Sequence, residues 1–426
     1  MDQLYNKYLS CGGRLTTDSR AIVGGEMFLA LKGENFDGNE YALKALEQGA
    51  SYVVVNRGTA AAGHPQAIEV DDTFETLRAL ARHHRRQLRI PVVGLTGTNG
   101  KTTTKELIRT ALAAGKKVCA TEGNLNNDIG VPLSILKIRQ DDEIAVIEMG
   151  ANHPDDIGHL VDILEPDAGL ITNVGKAHLL GFGSFDGVKK AKGQLYDYLS
   201  AHNGLVFINE DDADLMGMAS ARPGLSLVPY GFGRYSAGIL PQTPDEPFLR
   251  VKVGERVIGT SLVGAYNATN VLAALCVAEH FGVDVEDAAA AIEAYVPKNN
   301  RSQMVRTESN VLVVDAYNAN PSSMTAAIEN FASIVADKKL ALLGDMRELG
   351  TDSLKEHSTI VDLLQARGLD AMLVGDQFSA VSSGKFLTFA DSDQLKAYLE
   401  MNKPAGCTIL VKGSRGIQME KVLPVL

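Results

Sequence analysis

The sequence has no tryptophan, few cysteines, no long apolar run and no excess of positive charge. The missing tryptophan excludes nothing by itself. The four cysteines, Cys11, Cys119, Cys276 and Cys407, stand far apart, so no CxxC pair suggests a zinc site or redox motif. No disulfide framework is visible either, and a reducing, cytoplasmic setting is the simplest expectation. Residues Met1 to Ser10 are polar and lack the apolar region of a secretion signal. No run of about 18 apolar residues could cross a bilayer, so no membrane insertion is expected. Lysine and arginine number 41 against 52 acidic residues, a net charge of −11 that argues against nucleic acid as a partner. A negatively charged substrate must then be met by local basic groups.

A length of 426 residues exceeds what one hydrophobic core usually spans, so several domains are expected. The 41 glycines favour tight loops between short elements over coiled coil. Three blocks emerge. The first, 1–88, mixes short β-like runs (Met27–Leu31, Tyr52–Val55) with helical periodicity at Glu40–Gln48 and Thr73–Leu88. The last of these carries His83, His84, Arg85 and Arg86, which read best as a solvated helix face. The second block, 89–297, alternates strands (Ile90–Leu95, Ile144–Ile147, Ala168–Thr172, Leu205–Ile208) with helices, as a parallel sheet requires. A hairpin about Gly254-Glu255 interrupts it. The third, 298–426, restarts the alternation with strands at Val311–Asp315, Leu340–Leu343, Ala371–Val374 and Thr408–Val411. The expected fold is three α/β domains, the last Rossmann-like, with ligands at the carboxyl ends of strands.

Thr96-Gly97-Thr98-Asn99-Gly100-Lys101-Thr102-Thr103 follows a strand and opens a helix. Backbone N–H groups of such a turn surround phosphate oxygens. Lys101 would reach the β- and γ-phosphates, and the Thr102 hydroxyl would bind Mg²⁺. The general phosphate-loop pattern wants a glycine where Leu95 stands. Glu148, delivered by the apolar run before it, is a natural Mg²⁺ ligand beside bound phosphate, because Mg²⁺ prefers hard oxygens.

The shortened loop T-G-T-N-G-K-T resembles that of the Mur ligases, amide-forming ATP-dependent enzymes. The likeness extends through Thr172–His178, similar to a segment supplying a metal-binding histidine, and through Ala191-Lys192-Gly193-Gln194, similar to a segment whose lysine is carbamoylated. It implies ATP, two Mg²⁺ ions, carbamoylated Lys192, and metal ligation by Thr102, Glu148, His178 and Lys192. The chemistry is sensible, because adding CO₂ to a neutral amine turns a repelling cation into an anionic oxygen ligand. Gln194 stands where the family commonly has glutamate.

Gly264–Asn270 resembles the family segment whose asparagines, here Asn267 and Asn270, approach adenine, with Tyr266 in place of the usual histidine. Arg301 resembles the arginine that contacts the nucleotide, and Asp315 the acidic residue near the ribose and that arginine. Gly123–Gly130, with Asn126 and Asn127, resembles the loop holding the muramyl-peptide substrate. Asp18-Ser19-Arg20 and Ala30–Gly38 resemble a uridine-nucleotide-binding domain. Asp315–Pro321, Leu343–Gly350 and Lys412–Arg415 are similar to the branch that adds D-alanyl-D-alanine, and no D-N-P-R motif of the diaminopimelate- or lysine-adding branch is present. The resemblance thus implies UDP-N-acetylmuramoyl-tripeptide and D-alanyl-D-alanine as substrates and a monomeric enzyme. Asn318 or Asn320 would serve the acceptor amide, and Lys412 or Arg415 its carboxylate. The competing readings are a ligase of this family with another acceptor, and a nucleotide-binding module without ligation. Intact Lys101, Glu148, His178 and Lys192 speak against the second.

Overall fold

The runs read as strands are dense in β-branched residues, and the inner ones are buried at every position, as in parallel sheets covered on both faces. The computed structural model describes residues 1–243, 247–298 and 300–426. A four-stranded parallel sheet comes first, ordered Leu15–Thr16, Met27–Leu29, Tyr52–Asn56, Ala67–Val70. The central sheet has six parallel strands, ordered Ser226–Tyr230, Leu205–Asn209, Ala168–Ile171, Val92–Thr96, Ile144–Glu148, Val118–Ala120. A small antiparallel sheet follows, containing the expected hairpin of Arg250–Val253 with Arg256–Gly259. The last sheet runs Gln303–Arg306, Asn310–Asp315, Cys407–Lys412, Lys339–Gly344, Asp370–Val374, Leu387–Phe389. Only its first strand is antiparallel to its neighbour. That edge strand escapes the sequence reading, as does the opening helix Asp2–Ser10.

The topology decides what meets. Val92–Thr96 lies between Ala168–Ile171 and Ile144–Glu148, so the three loops after these strands share one edge. In the last sheet, Asn310–Asp315, Cys407–Lys412 and Lys339–Gly344 are likewise adjacent.

The His83–Arg86 cluster is a solvated face only in part: Arg86 is exposed, but His84 and Arg85 are buried. Helix Thr73–Gln87, capped by the Asp72 carboxylate on the Phe74 and Glu75 N–H groups, packs Leu77, Leu80 and Ala81 into a core shared with Val131, Ile135, Leu160 and Leu164. His84 lies between the Tyr5 hydroxyl and the Ile138 carbonyl, 2.9 Å from each. Arg85 donates to the Leu164 and Glu165 carbonyls at 3.0 and 2.8 Å, and to Asp167 at 2.8 Å. Those carbonyls end helix Asp156–Leu164 and have no partner inside it. Arg82 and Arg86 hold the Glu165 carboxylate. Helical periodicity identified the helix but not the second helix end that covers its basic turn.

Candidate active site

The phosphate-type loop is braced from the neighbouring strand. Gly97 has φ +149, and a Cβ there would sit 1.9 Å from Thr172 Oγ1, so only glycine fits. Thr172 Oγ1 donates to the Asn99 carbonyl at 2.7 Å. The Asn173 carbonyl accepts the Thr98 N–H, and its side chain grips Asn99 at both N–H and C=O, each at 3.0 Å. Gly100, left-handed at φ +77, turns the chain into helix Lys101–Leu112. The Lys101 ammonium folds across the loop to the Gly97 and Thr98 carbonyls at 2.9 and 3.1 Å. Burial lowers its pKa, against the opposing Glu148 charge. Thr96 is fully buried beneath the loop, and Thr103 is buried in the first helical turn.

Glu148 is 1% exposed. Its carboxylate accepts from Thr102 Oγ1 at 2.9 Å and from Asn126 Nδ2 at 2.8 Å. Lys192, on helix Phe185–Ala201, is 2% exposed and forms no ion pair among the described residues. Burial pushes its pKa well down, and the Lys101 charge pushes the same way. Gln194 accepts the Gly158 N–H at 2.8 Å, a role for which an amide serves. His178 adopts a left-handed conformation at φ +50 and meets the Glu348 carboxylate from the last domain. Burial holds its imidazole pKa down while Glu348 opposes the shift.

Lys101, Glu148 and His178 face a cleft of about 600 Å³ between the central and last domains. Thr98–Lys101, Asn126, Asn127, Glu148, His178, Asn267 and Asn270 line one side, and Arg301, Asp315, Tyr317, Asn318, Asn320 and Lys412 the other. Asn267 and Asn270 are largely committed to local order: Asn267 donates to the Val263 carbonyl at 2.8 Å and accepts from Asn270 at 2.9 Å. Asn127 Oδ1 accepts the Gly130 N–H at 2.9 Å, just where helix Gly130–Leu136 begins. Asn320 caps helix Pro321–Ser333 with a capping box and reaches Asn99 Oδ1 at 2.8 Å, joining the acceptor-side loop to the phosphate-type loop. A second cavity of about 590 Å³ shares Thr103 and Arg301 with the cleft, with Tyr295 on its wall.

Several residues stand otherwise than expected. Lys412 is 1% exposed, and its ammonium is taken by Asp315 at 2.5 Å and the Asn318 carbonyl at 3.1 Å. It shapes the loop and is not open to a substrate carboxylate. Asp315 correspondingly pairs with Lys412, while Arg301 stacks on Tyr317 with its guanidinium 3.6 Å from the ring centre. Arg415 is exposed outside the cleft lining, 5.4 Å from the same ring, and its backbone N–H reaches Asn318 Oδ1 at 3.4 Å. Ser19 and Arg20 lie in the first domain away from this cleft, Arg20 being paired with Asp18. Asn173, Tyr317 and Glu348 are additions of the structure. All three fall inside segments singled out by resemblance, but their contacts cross between strands or domains.

Comparison with known proteins agrees with this arrangement. The chain matches the Mur ligase family catalytic domain over residues 14–85, the Mur ligase middle domain over 95–278, and the Mur ligase glutamate ligase domain over 300–415. It is 36% identical to the UDP-N-acetylmuramoyl-tripeptide–D-alanyl-D-alanine ligase of Escherichia coli, covering 97% of this chain and 93% of that one. The Bacillus subtilis protein of the same name is 32% identical, with 96% and 92% covered. Among solved structures, MurF from Thermotoga maritima in complex with ADP is similar at TM-score 0.84 and 29% identity, covering 97% of this chain and 96% of that one. MurF from Acinetobacter baumannii gives TM-score 0.85 at 29% identity, with 96% and 92% covered. Loop, buried carboxylate, buried lysine and domain order thus coincide with end-to-end similarity, and the chain belongs to the Mur ligase family.

Proposed function

We propose that this protein joins D-alanyl-D-alanine to UDP-N-acetylmuramoyl-tripeptide at the expense of ATP, giving the pentapeptide precursor of peptidoglycan. The observation that carries the reading is one cleft holding a braced phosphate loop and a buried carboxylate, faced by a second domain, with a buried lysine that has no ion pair among the described residues. The ATP phosphates lie against the Gly97–Thr102 amides and the helix N-terminus. The adjoining cavity by Thr103, Tyr295 and Arg301 suits the nucleoside. Lys101 swings from the Gly97 and Thr98 carbonyls to the phosphates.

The donor groups suit Mg²⁺: Thr102 Oγ1 and the Glu148 carboxylate are hard oxygens already in mutual contact. Lys192 fits a carbamate, because burial and the Lys101 charge lower its pKa and so favour the neutral amine that takes up CO₂. Thr102 and Glu148 would hold one ion, and Glu148, His178 and carbamoylated Lys192 a second. Bound Mg²⁺ would neutralise charge on the transferring phosphoryl group. Domains at 1–88, 89–297 and 298–426 divide the work into uridine-nucleotide binding around Ser19 and Arg20, ATP chemistry, and acceptor binding.

The terminal carboxylate of the tripeptide, held near Asn126 and Asn127, attacks the γ-phosphorus, and ADP leaves. The amine of D-alanyl-D-alanine then attacks the acyl phosphate, forms the amide, loses a proton and expels phosphate. Asn318 and Asn320 face the acceptor amide, and Arg415 swings to its carboxylate. Positioning the amine turns binding into rate, and closure of the last domain keeps water from the acyl phosphate.

Phosphate release with UDP-muramoyl-tripeptide and a panel of acceptors tests this. D-alanyl-D-alanine should support turnover far better than single amino acids. A preference for free lysine or diaminopimelate would overturn the acceptor assignment and leave the ligase chemistry standing.

A further inference from the structure

Three segments distant in sequence meet at the Tyr317 ring. Arg301 comes from the approach to the last domain, Tyr317 from the loop after strand Asn310–Asp315, and Arg415 from the turn after strand Cys407–Lys412. The ring lines the cleft, with the Arg301 guanidinium 3.6 Å and the Arg415 guanidinium 5.4 Å from its centre. Both distances fall within the range of cation–π attraction. Two like charges sharing one ring repel each other unless something between them is negative, and the ring face supplies that. Of the nearby carboxylates, Asp315 belongs to Lys412 and Glu420 pairs with Arg415 at 3.7 Å, which leaves Arg301 with the ring alone. Arg301 has no ion pair among the described residues, and its Nε is buried without a hydrogen-bond partner. A buried guanidinium edge without a partner is costly and points to an anionic ligand. Arg301 lines both the cleft and the adjoining cavity, whereas Arg415 lines neither.

We infer that Tyr317 is a positioning residue that orients Arg301 toward the nucleotide and Arg415 toward the acceptor carboxylate, so that one ring serves both substrates. The inference rests on the function proposed above. Its requirement is for the ring, which both guanidiniums face, whereas the hydroxyl of Tyr317 makes no hydrogen bond among the described residues. Tyr317→Phe should therefore keep what Tyr317→Leu loses.

The test combines steady-state kinetics with direct binding of a fluorescent ADP analogue. Tyr317→Leu should raise the KM for both ATP and D-alanyl-D-alanine by about 3- to 10-fold, as loss of one cation–π contact to each arginine implies. Tyr317→Phe should stay within about twofold of wild type by the same argument. Arg415→Ala should raise the acceptor KM alone, and Tyr317→Leu with Arg415→Ala should raise it no further than Arg415→Ala by itself. Additive effects, a Phe variant as impaired as Leu, or unchanged KM values in Tyr317→Leu would overturn the inference. A wild-type enzyme inactive with D-alanyl-D-alanine would instead refute the function. ADP-analogue binding, weakened in Tyr317→Leu and retained in Tyr317→Phe, still decides the role of the ring in that case. Circular dichroism melting confirms that each variant is folded before its result counts.

Discussion

The central domain meets its two neighbours in opposite ways. Toward the first domain, Tyr5, Tyr8, Leu77 and Leu80 join Val131, Ile135, Leu160 and Leu164 in one continuous core. Arg85 closes that seam with three hydrogen bonds. Toward the last domain the apolar clusters are largely separate, with Val263 and Phe248 as the main crossing points. What spans this cleft is polar: Asn320 with Asn99, Lys176 with Glu356, the Lys176 N–H with Ser322, and Glu348 with His178. Polar contacts at a wet cleft are individually weak and can be exchanged for contacts to a ligand. Loss of a shared apolar core has no such replacement. The first junction is therefore built for stability and the second for movement, the division expected of an enzyme that closes over a reactive intermediate.

The sharpest separation of these roles should come from Lys192. Lys192→Ala should lose roughly 100-fold or more of the activity, as loss of a group supporting a metal site does. Without Mg²⁺ and bicarbonate, its melting temperature should hold or rise, because an unpaired buried amine is removed. Short carboxylates that enter the vacated space should restore part of the rate, and full activity without them would refute the carbamate. At the other junction, Arg85→Ala should cost about 2 kcal/mol of stability, since buried carbonyls lose their donor. The kcat of the folded fraction should change little. The Asp167 carboxylate is half-exposed, so little of that cost is attributed to the ion pair itself. Denaturation followed by circular dichroism, with kinetics on the same samples, checks both halves. A large kcat defect with normal stability would erase the contrast.

Limited proteolysis extends the comparison to the linkers. Cleavage near residues 297–301 should slow several-fold when ATP and donor are present, as expected where opening is local. Cleavage near 85–91 should stay slow in both states. Similar cleavage of both linkers, unaffected by ligands, would count against a movable last domain.

The smallest effect concerns acid. Burial lowers the folded-state pKa of His84, so the unfolded chain binds that proton more readily. The contribution is present in full above the unfolded value and falls as pH drops through it toward the lowered folded value. From pH 6.5 to 5.5 the loss is at most about 1.4 kcal/mol. The buried His357 has the same sign, so the difference between wild type and His84→Gln isolates the first junction. Identical pH profiles would remove His84 from the account.

Local chemistry was legible in the sequence and crossings were not. The Gly97–Thr103 loop and the strand ending at Glu148 could be read because each is one segment whose residues act together. Lys412 was misjudged because its partner lies on another strand. Parallel register sets Asp315 beside Lys412, so the two side chains leave the sheet together and neutralise each other. The basic turn of helix Thr73–Gln87 failed in the same way, since periodicity carries no information about which helix end will need donors. Asn320 illustrates a third case: its capping role was implicit in the following proline and serines, but its contact with Asn99 depends on how two domains face each other.

The shared core also bears on how the protein is made. Helix Asp2–Ser10 is made well before its partners: the Tyr8 hydroxyl finds its acceptor on Leu136, and the helix Thr73–Gln87 packs on residues as late as Leu164. At translation rates of roughly 5–20 residues per second, the apolar face of the first domain waits about 4–15 s after residue 88 for its cover. During that interval Leu77 and Leu80 are open to other chains. Nascent molecules should accordingly depend on holding chaperones while residues 89–164 are being synthesised.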